Sequence, residues 1–113
     1  MNKTNIHTIK LIQELKKTSN KEKKNIWKAL ARYLEKSSRQ IHEVNLSKIE
    51  KYAKEGETIV VPGKVLGVGE VNKKVTVAAL QFSQKAKEKL KSTLTISELM
   101  KKNPKGQKVR ILG

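Results

Sequence analysis

Basic side chains at regular spacing are the chemistry this chain offers most plainly. Lys24, Lys28, Arg32 and Lys36 recur every four residues, which places them on one slowly drifting stripe of a helix. The stripe leads into Lys36-Ser37-Ser38-Arg39-Gln40-Ile41-His42-Glu43-Val44-Asn45, a segment dense in hydrogen-bonding groups. Lysine brings a point charge for phosphate, whereas the guanidinium of Arg39 is a planar fork suited to phosphate or a base edge. Ser37, Ser38 and Gln40 suit phosphates and ribose hydroxyls. The competing role for such a loop is to satisfy its own backbone, with Asn45 as a cap or turn residue. A lysine face that merely meets solvent is equally common for any one residue.

Other chemistries fail on residue type. Gly63-Lys64-Val65-Leu66-Gly67-Val68-Gly69 has the glycines of a phosphate loop, but no Gly-Lys-Ser/Thr closes it and no helix opens there. A dinucleotide fingerprint from Gly67 needs a small residue where Asn72 stands, so turns and bulges between strands explain these glycines better. His7 and His42 are the sole imidazoles, and neither has a nucleophile or ligand at a telling spacing. Glu35 and Glu43 lie beside Lys36 and Arg39, which favours ion pairing over paired-carboxylate catalysis. The chain has no Cys, hence no disulfide, zinc ribbon or thiol nucleophile. It has no Asp either, which removes the commonest partner of divalent metals. The expectation is a protein that is not an enzyme and takes no cofactor, metal or small-molecule substrate.

The 113 residues carry 26 Lys plus Arg against 10 acids, all of them Glu, for a net charge of +16. The charge is spread evenly: 14 bases and 6 acids precede residue 57, and 12 and 4 follow, giving +8 on each side. A folded body coated with cations fits this better than a neutral domain with a basic arm, and the partner it attracts is a polyanion. No stretch approaches the roughly 18 apolar residues of a membrane span, so an intracellular soluble protein without a membrane partner is expected. Trp27, Tyr33, Tyr52 and Phe82 all fall on expected core faces, which argues against a single-strand stacking platform. No recognition helix concentrates the charge, which weakens a DNA-compacting, nucleoid-type alternative.

The elements that must position these groups can be read in order. Ile6, Ile9, Leu11, Ile12 and Leu15 predict a helix over 5–17. Ser19-Asn20-Lys21-Glu22 matches a capping box for a second helix reaching Lys36, with Ile26, Leu30, Tyr33 and Leu34 inward and Trp27 and Ala31 alongside. Ser47-Lys48-Ile49-Glu50 matches another capping box, for a short helix ending at Gly56. Thr58 to Val61 reads as a strand, Pro62-Gly63 as a type II turn, and Lys64 to Val71 as an extended stretch. Lys73 and Lys74 fall in a turn before a strand at Val75–Leu80. Ser83 caps a helix to Lys91, and Thr95-Ile96-Ser97-Glu98 is a third capping box, for a helix to Lys102. Val109 to Leu112 closes as a strand. The expected fold is α/β (α+β): one domain over 1–113, helical over 1–56, with an irregular β-β-α core over 57–113.

Two blocks carry a resemblance. Glu35-Lys36-Ser37-Ser38-Arg39 leading to Val44-Asn45-Leu46-Ser47-Lys48-Ile49 resembles the signature of the eighteen-e family of archaeal and eukaryotic large-subunit ribosomal proteins. Val60-Val61-Pro62-Gly63-Lys64-Val65-Leu66-Gly67, Val75-Thr76-Val77-Ala78-Ala79 and Phe82-Ser83 resemble the same family and its bacterial relative, large-subunit ribosomal protein fifteen. The likeness extends from Thr4-Asn5 to Asn103-Pro104 and the closing Val-Arg-Ile. In the family, Pro often precedes Arg39, where this chain has Ser37-Ser38. The resemblance implies a structural constituent of the cytoplasmic large subunit, of archaeal type, bound to large-subunit ribosomal RNA and neighbouring ribosomal proteins. By position it implies RNA contacts at Lys36, Ser37, Arg39, His42, Asn45 and Lys64. Charge placement alone adds Lys24, Lys28, Arg32, Lys73 and Lys74.

Overall fold

Hydrophobic residues on both sides of one sheet organise the fold. The structure is a computed structural model and describes residues 6–36 and 42–112. In chain order the elements are α1 (Ile6–Glu22), α2 (Asn25–Lys36), β1 (His42–Asn45), α3 (Leu46–Tyr52), β2 (Thr58–Leu66) and β3 (Thr76–Phe82). There follow α4 (Gln84–Lys89), β4 (Thr93–Thr95), α5 (Ile96–Lys102) and β5 (Val109–Ile111). All five of these strands run parallel. β3 and then β4 lie on one side of β2, while β1 and β5 share its other edge. β5 pairs with Thr58–Val60 and β1 with Gly63–Leu66.

A parallel sheet must be covered on both faces, and here it is. Ile59, Val61, Val65, Val77 and Ala79 pack with Leu46, Ile49 and Ala53 around α3 and Ala86 of α4. Val60 and Ala78 point the other way, into a cluster with Leu11, Leu15, Trp27, Leu30, Ala31, Leu34, Ile96, Leu99 and Met100 from α1, α2 and α5. The helices α3 and α4 carry the chain from β1 to β2 and from β3 to β4; α5 brings it back across the opposite face. A single crossover hand requires this division. The α/β expectation holds.

Several local expectations do not. Ser19 does not open the second helix; α1 continues through it to Glu22. Leu11, Leu15 and Ser19 follow one another at i, i+4 on the buried side, so packing extends the helix past the capping signature. Lys23 then takes a left-handed φ of 56°, and the Lys24 N–H donates to the Ser19 carbonyl at 3.2 Å. That is the 6→1 bond of a Schellman ending. The Ser19 hydroxyl donates to the Lys24 carbonyl at 2.8 Å. Similarly, Ser47 lies inside α3, whose N-cap is Asn45.

Pro62-Gly63 makes no turn. Both residues sit in β2, where the pairing with β3 jumps from Val61↔Ala79 to Lys64↔Gln81, one extra residue on β2. The bulge coincides with the place where the other edge of β2 changes partner from β5 to β1. A proline is tolerated in a central strand only where no ladder bond is required of its nitrogen. The other two caps stand as expected. Ser83 accepts from the Ala86 N–H, although α4 ends at Lys89 rather than Lys91. Thr95 and Glu98 form a reciprocal capping box. The two hydrogen bonds from Thr95 hold the Glu98 carboxyl below its ordinary value.

Nine residues, 67–75, return the chain from the end of β2 to the start of β3. Their reach of about 30 Å is little more than the roughly 20 Å length of the strand they retrace. The path is taut and tightly seated. A Cβ on Gly67 would lie 2.5 Å from the Lys85 Cβ, and one on Gly69 2.7 Å from the Ser47 nitrogen. Lys89 Nζ donates to the carbonyls of Gly67 and Gly69 and pairs with Glu70. The glycines therefore serve packing of the crossover, not a phosphate loop.

Candidate nucleic-acid interface

The orientation of α2 follows from its buried side. Trp27, Leu30, Ala31 and Leu34 turn inward. At 100° per residue, Lys28, Arg32 and Lys36 then stand from about 100° to about 180° away from Trp27. All three are exposed. Among the described residues none of them has an ion-pair or hydrogen-bond partner for its side chain; the nearby Glu35 is taken by Lys16 at 3.0 Å. Lys24 lies just before α2 with its side chain in solvent.

The segment after α2 is only partly within view. Ser37 and Arg39 lie outside the described residues. His42, read from the sequence as part of a loop, begins β1, and its backbone stands in register with Gly63. The next pair is Glu43↔Lys64. The pairing thus brings the first basic block and the Pro-Gly block together as neighbouring parallel strands, 21 positions apart in the chain. Lys64 is half-buried between Glu43 and Gln81 on the flanking strands. Asn45 closes β1, and its Oδ1 is buried without a hydrogen-bond partner.

Lys73 and Lys74 fall elsewhere, near the start of β3. The Lys73 ammonium donates to the carbonyls of Glu50 and Ala53 at 2.6 and 2.8 Å, where a cation offsets the negative end of α3. Glu50 in turn accepts from the Asn72 and Lys73 N–H groups. Lys74 is exposed. With Lys89, Lys91, Thr76 and Ser92 these residues line an open cleft of about 420 Å³. Arg110 is also committed: its Nε donates to both oxygens of Glu57, at 3.1 and 3.3 Å. That bond, then the Lys54 N–H, holds the Glu57 carboxyl below its ordinary value.

The aromatic residues need a correction. Trp27 is fully buried and Phe82 half-buried, but Tyr33 and Tyr52 are 41% and 49% exposed. They do not make a stacking platform together, because α2 and α3 cover opposite faces of the sheet. The Lys51 ammonium sits 5.3 Å from the Tyr52 ring centre. Among the described residues no group of three or more His, Cys, Asp or Glu is placed to hold a metal, and no helix is long and apolar enough to cross a membrane.

A family model that groups ribosomal proteins 50S-L15 and 50S-L18e with their 60S counterpart matches residues 10–93. The chain belongs to this family. Its curated relatives include large ribosomal subunit protein eL18 of Methanoregula boonei, 49% identical over 114 residues and covering 97% of this chain and 94% of the relative. The eL18 of Methanococcus maripaludis is 49% identical over 113 residues, with 96% and 94% covered. That of Archaeoglobus fulgidus is 48% identical over 116 residues, with 99% of each covered. These are archaeal proteins, and the chain is an archaeal-type eL18 family member. The matched span contains the β1–β2 pairing, the bulge and the crossover; α5, the turn after it and β5 lie beyond residue 93.

Residues that local reading missed are those the fold gathers from a distance. Lys23, Lys105 and Lys108 carry no motif. Their relation becomes visible only through the hydrogen bond from Trp27 Nε1 to the Pro104 carbonyl, at 2.7 Å.

Proposed function

We propose that this chain is a structural constituent of the large ribosomal subunit in the cytoplasm, holding large-subunit ribosomal RNA and meeting neighbouring ribosomal proteins. It performs no catalysis. Membership of the eL18 family along nearly the whole chain supports the assignment. The observation that carries the RNA contact is the α2 stripe of Lys28, Arg32 and Lys36, exposed and without partners in the described residues. Lys24 begins the same surface, and Lys36 delivers it to Ser37, Arg39, His42, Asn45 and Lys64 on the loop and the β1–β2 edge. Lys74 and the remaining ammonium proton of Lys73 are secondary contacts at the other end of the sheet. A DNA-compacting role would use the same charge, but it gains nothing from the relatives.

Affinity for a large-subunit ribosomal RNA transcript, measured across a salt series by filter binding, tests this reading. If about six phosphates are met, log K against log salt falls with a slope near −4. Ribosomal RNA is expected to outcompete duplex DNA of equal length at moderate salt. Equal affinity for the two would favour the DNA-compacting reading instead.

A further inference from the structure

The end of the sheet where the parallel strands begin gathers cations that are far apart in sequence. Lys23 and Lys24 form the corner between α1 and α2. The turn from α5 to β5 is docked on that corner by the bond from Trp27 Nε1 to the Pro104 carbonyl. Gly106 sits so close that a Cβ there would lie 2.7 Å from the Ile26 Cγ2. The turn is held internally by the Asn103 side chain, which donates to the Gln107 carbonyl and accepts from the Gln107 N–H. Lys105 and Lys108 are thereby fixed beside the α1–α2 corner. All four lysines are exposed. Their side chains have no ion-pair or hydrogen-bond partner among the described residues. The carboxylate at the start of β2, Glu57, is already engaged by Arg110.

Backbone conformation singles out two of the four. Lys23 and Lys108 are the only non-glycine residues with positive φ among the described residues, each at 56°. Glycine relieves the strain at such a position and is the usual residue at a Schellman ending. A cationic side chain kept at both positions is the kind of local cost that concentrates at functional sites.

We propose, on the reading that the chain binds ribosomal RNA, that this corner is an RNA-backbone site in which Lys23, Lys24, Lys105 and Lys108 converge on phosphates. It extends the α2 surface around the start of that helix onto a turn beyond the span matched by the family model. The site exists only in the folded chain, because a segment about 80 residues further on supplies half of its cations.

The test exploits the strain. The Lys23→Gly/Lys108→Gly variant is expected to melt at the same temperature as the unaltered protein or a few degrees higher. Its affinity for a large-subunit ribosomal RNA transcript should nevertheless fall about tenfold at moderate salt, with the slope against salt shallower by one to two. Lys105→Gln, at an ordinary backbone position, should also weaken binding without lowering the melting temperature. Lys10→Ala/Lys87→Ala, on remote helices, is the charge-matched comparison and should lose clearly less. Glycine and glutamine variants that bind like the unaltered protein would overturn the proposal while leaving ribosomal RNA binding intact. An equal loss in the remote pair would overturn it too, by reducing the corner to bulk charge. Failure of the unaltered protein to bind the transcript would instead sink the ribosomal reading.

Discussion

Trp27→Ala is expected to remove most of the stability of the free protein. The ring is fully buried, and truncating a buried Trp or Phe typically costs about 3–5 kcal/mol. The same substitution deletes the hydrogen bond to Pro104 and so releases the turn that leads into β5. Domains have only about 5–15 kcal/mol to lose, and the self-repulsion of a +16 chain places this one toward the lower end. A melting-temperature drop of roughly 15–25 °C is expected, followed by circular dichroism. Trp27→Phe keeps much of the ring volume and loses only the N–H donor, so it should fall by much less. A Trp27→Ala protein that melts within a few degrees of the unaltered one would mean that α2 and the 103–108 turn are not coupled through this side chain.

Removing the α2 stripe should have the opposite pair of effects. In Lys28→Ala/Arg32→Ala/Lys36→Ala the slope of log K against log salt for ribosomal RNA should become shallower by about two, with affinity near 0.1 M salt down about a hundredfold. Stability should hold or rise slightly. Like charges at i, i+4 cost roughly 0.2–0.5 kcal/mol per pair, and alanine is the best helix former. Cations that weaken their own helix and have no internal partner are retained for something outside the protein. A triple variant that loses stability and keeps its RNA affinity would show the stripe to be structural.

The fold was legible where a local signal and the tertiary structure agree. The Thr95–Glu98 capping box, the Ser83 cap and the apolar run around Val77 are complete in a few consecutive residues. It was illegible where packing overrides a local signal. Ser19-Asn20-Lys21-Glu22 has the letters of a helix start, yet Ser19 continues the buried stripe of Leu11 and Leu15, so the helix runs on. Pro62-Gly63 has the letters of a turn, but a bulge and a change of strand partner absorb both residues inside β2. β1 left almost no trace: Val44 is its one fully buried side chain among those described, and its pairing with Gly63–Leu66 cannot be read from four residues. The exposure of Tyr33 and Tyr52 likewise depends on which way the sheet faces each helix.

The candidate surface divides in the same manner. The four-residue spacing of the α2 stripe is a helical property, and it was readable because the apolar residues fix the opposite side of the helix. Lys73 could not be told apart from Lys74 by sequence, although one ammonium closes the end of α3 and the other faces solvent. The corner built from Lys23, Lys24, Lys105 and Lys108 depends on one tryptophan meeting a carbonyl 77 positions away, a contact with no sequence signature.

Sucrose-gradient sedimentation of a native lysate, with the protein followed by antibody, tests the central claim most directly. The account predicts that at physiological salt the protein travels with the large ribosomal subunit, and leaves it only when salt is raised enough to break its phosphate contacts. A protein that stays at the top of the gradient at physiological salt, away from large subunits, would contradict it.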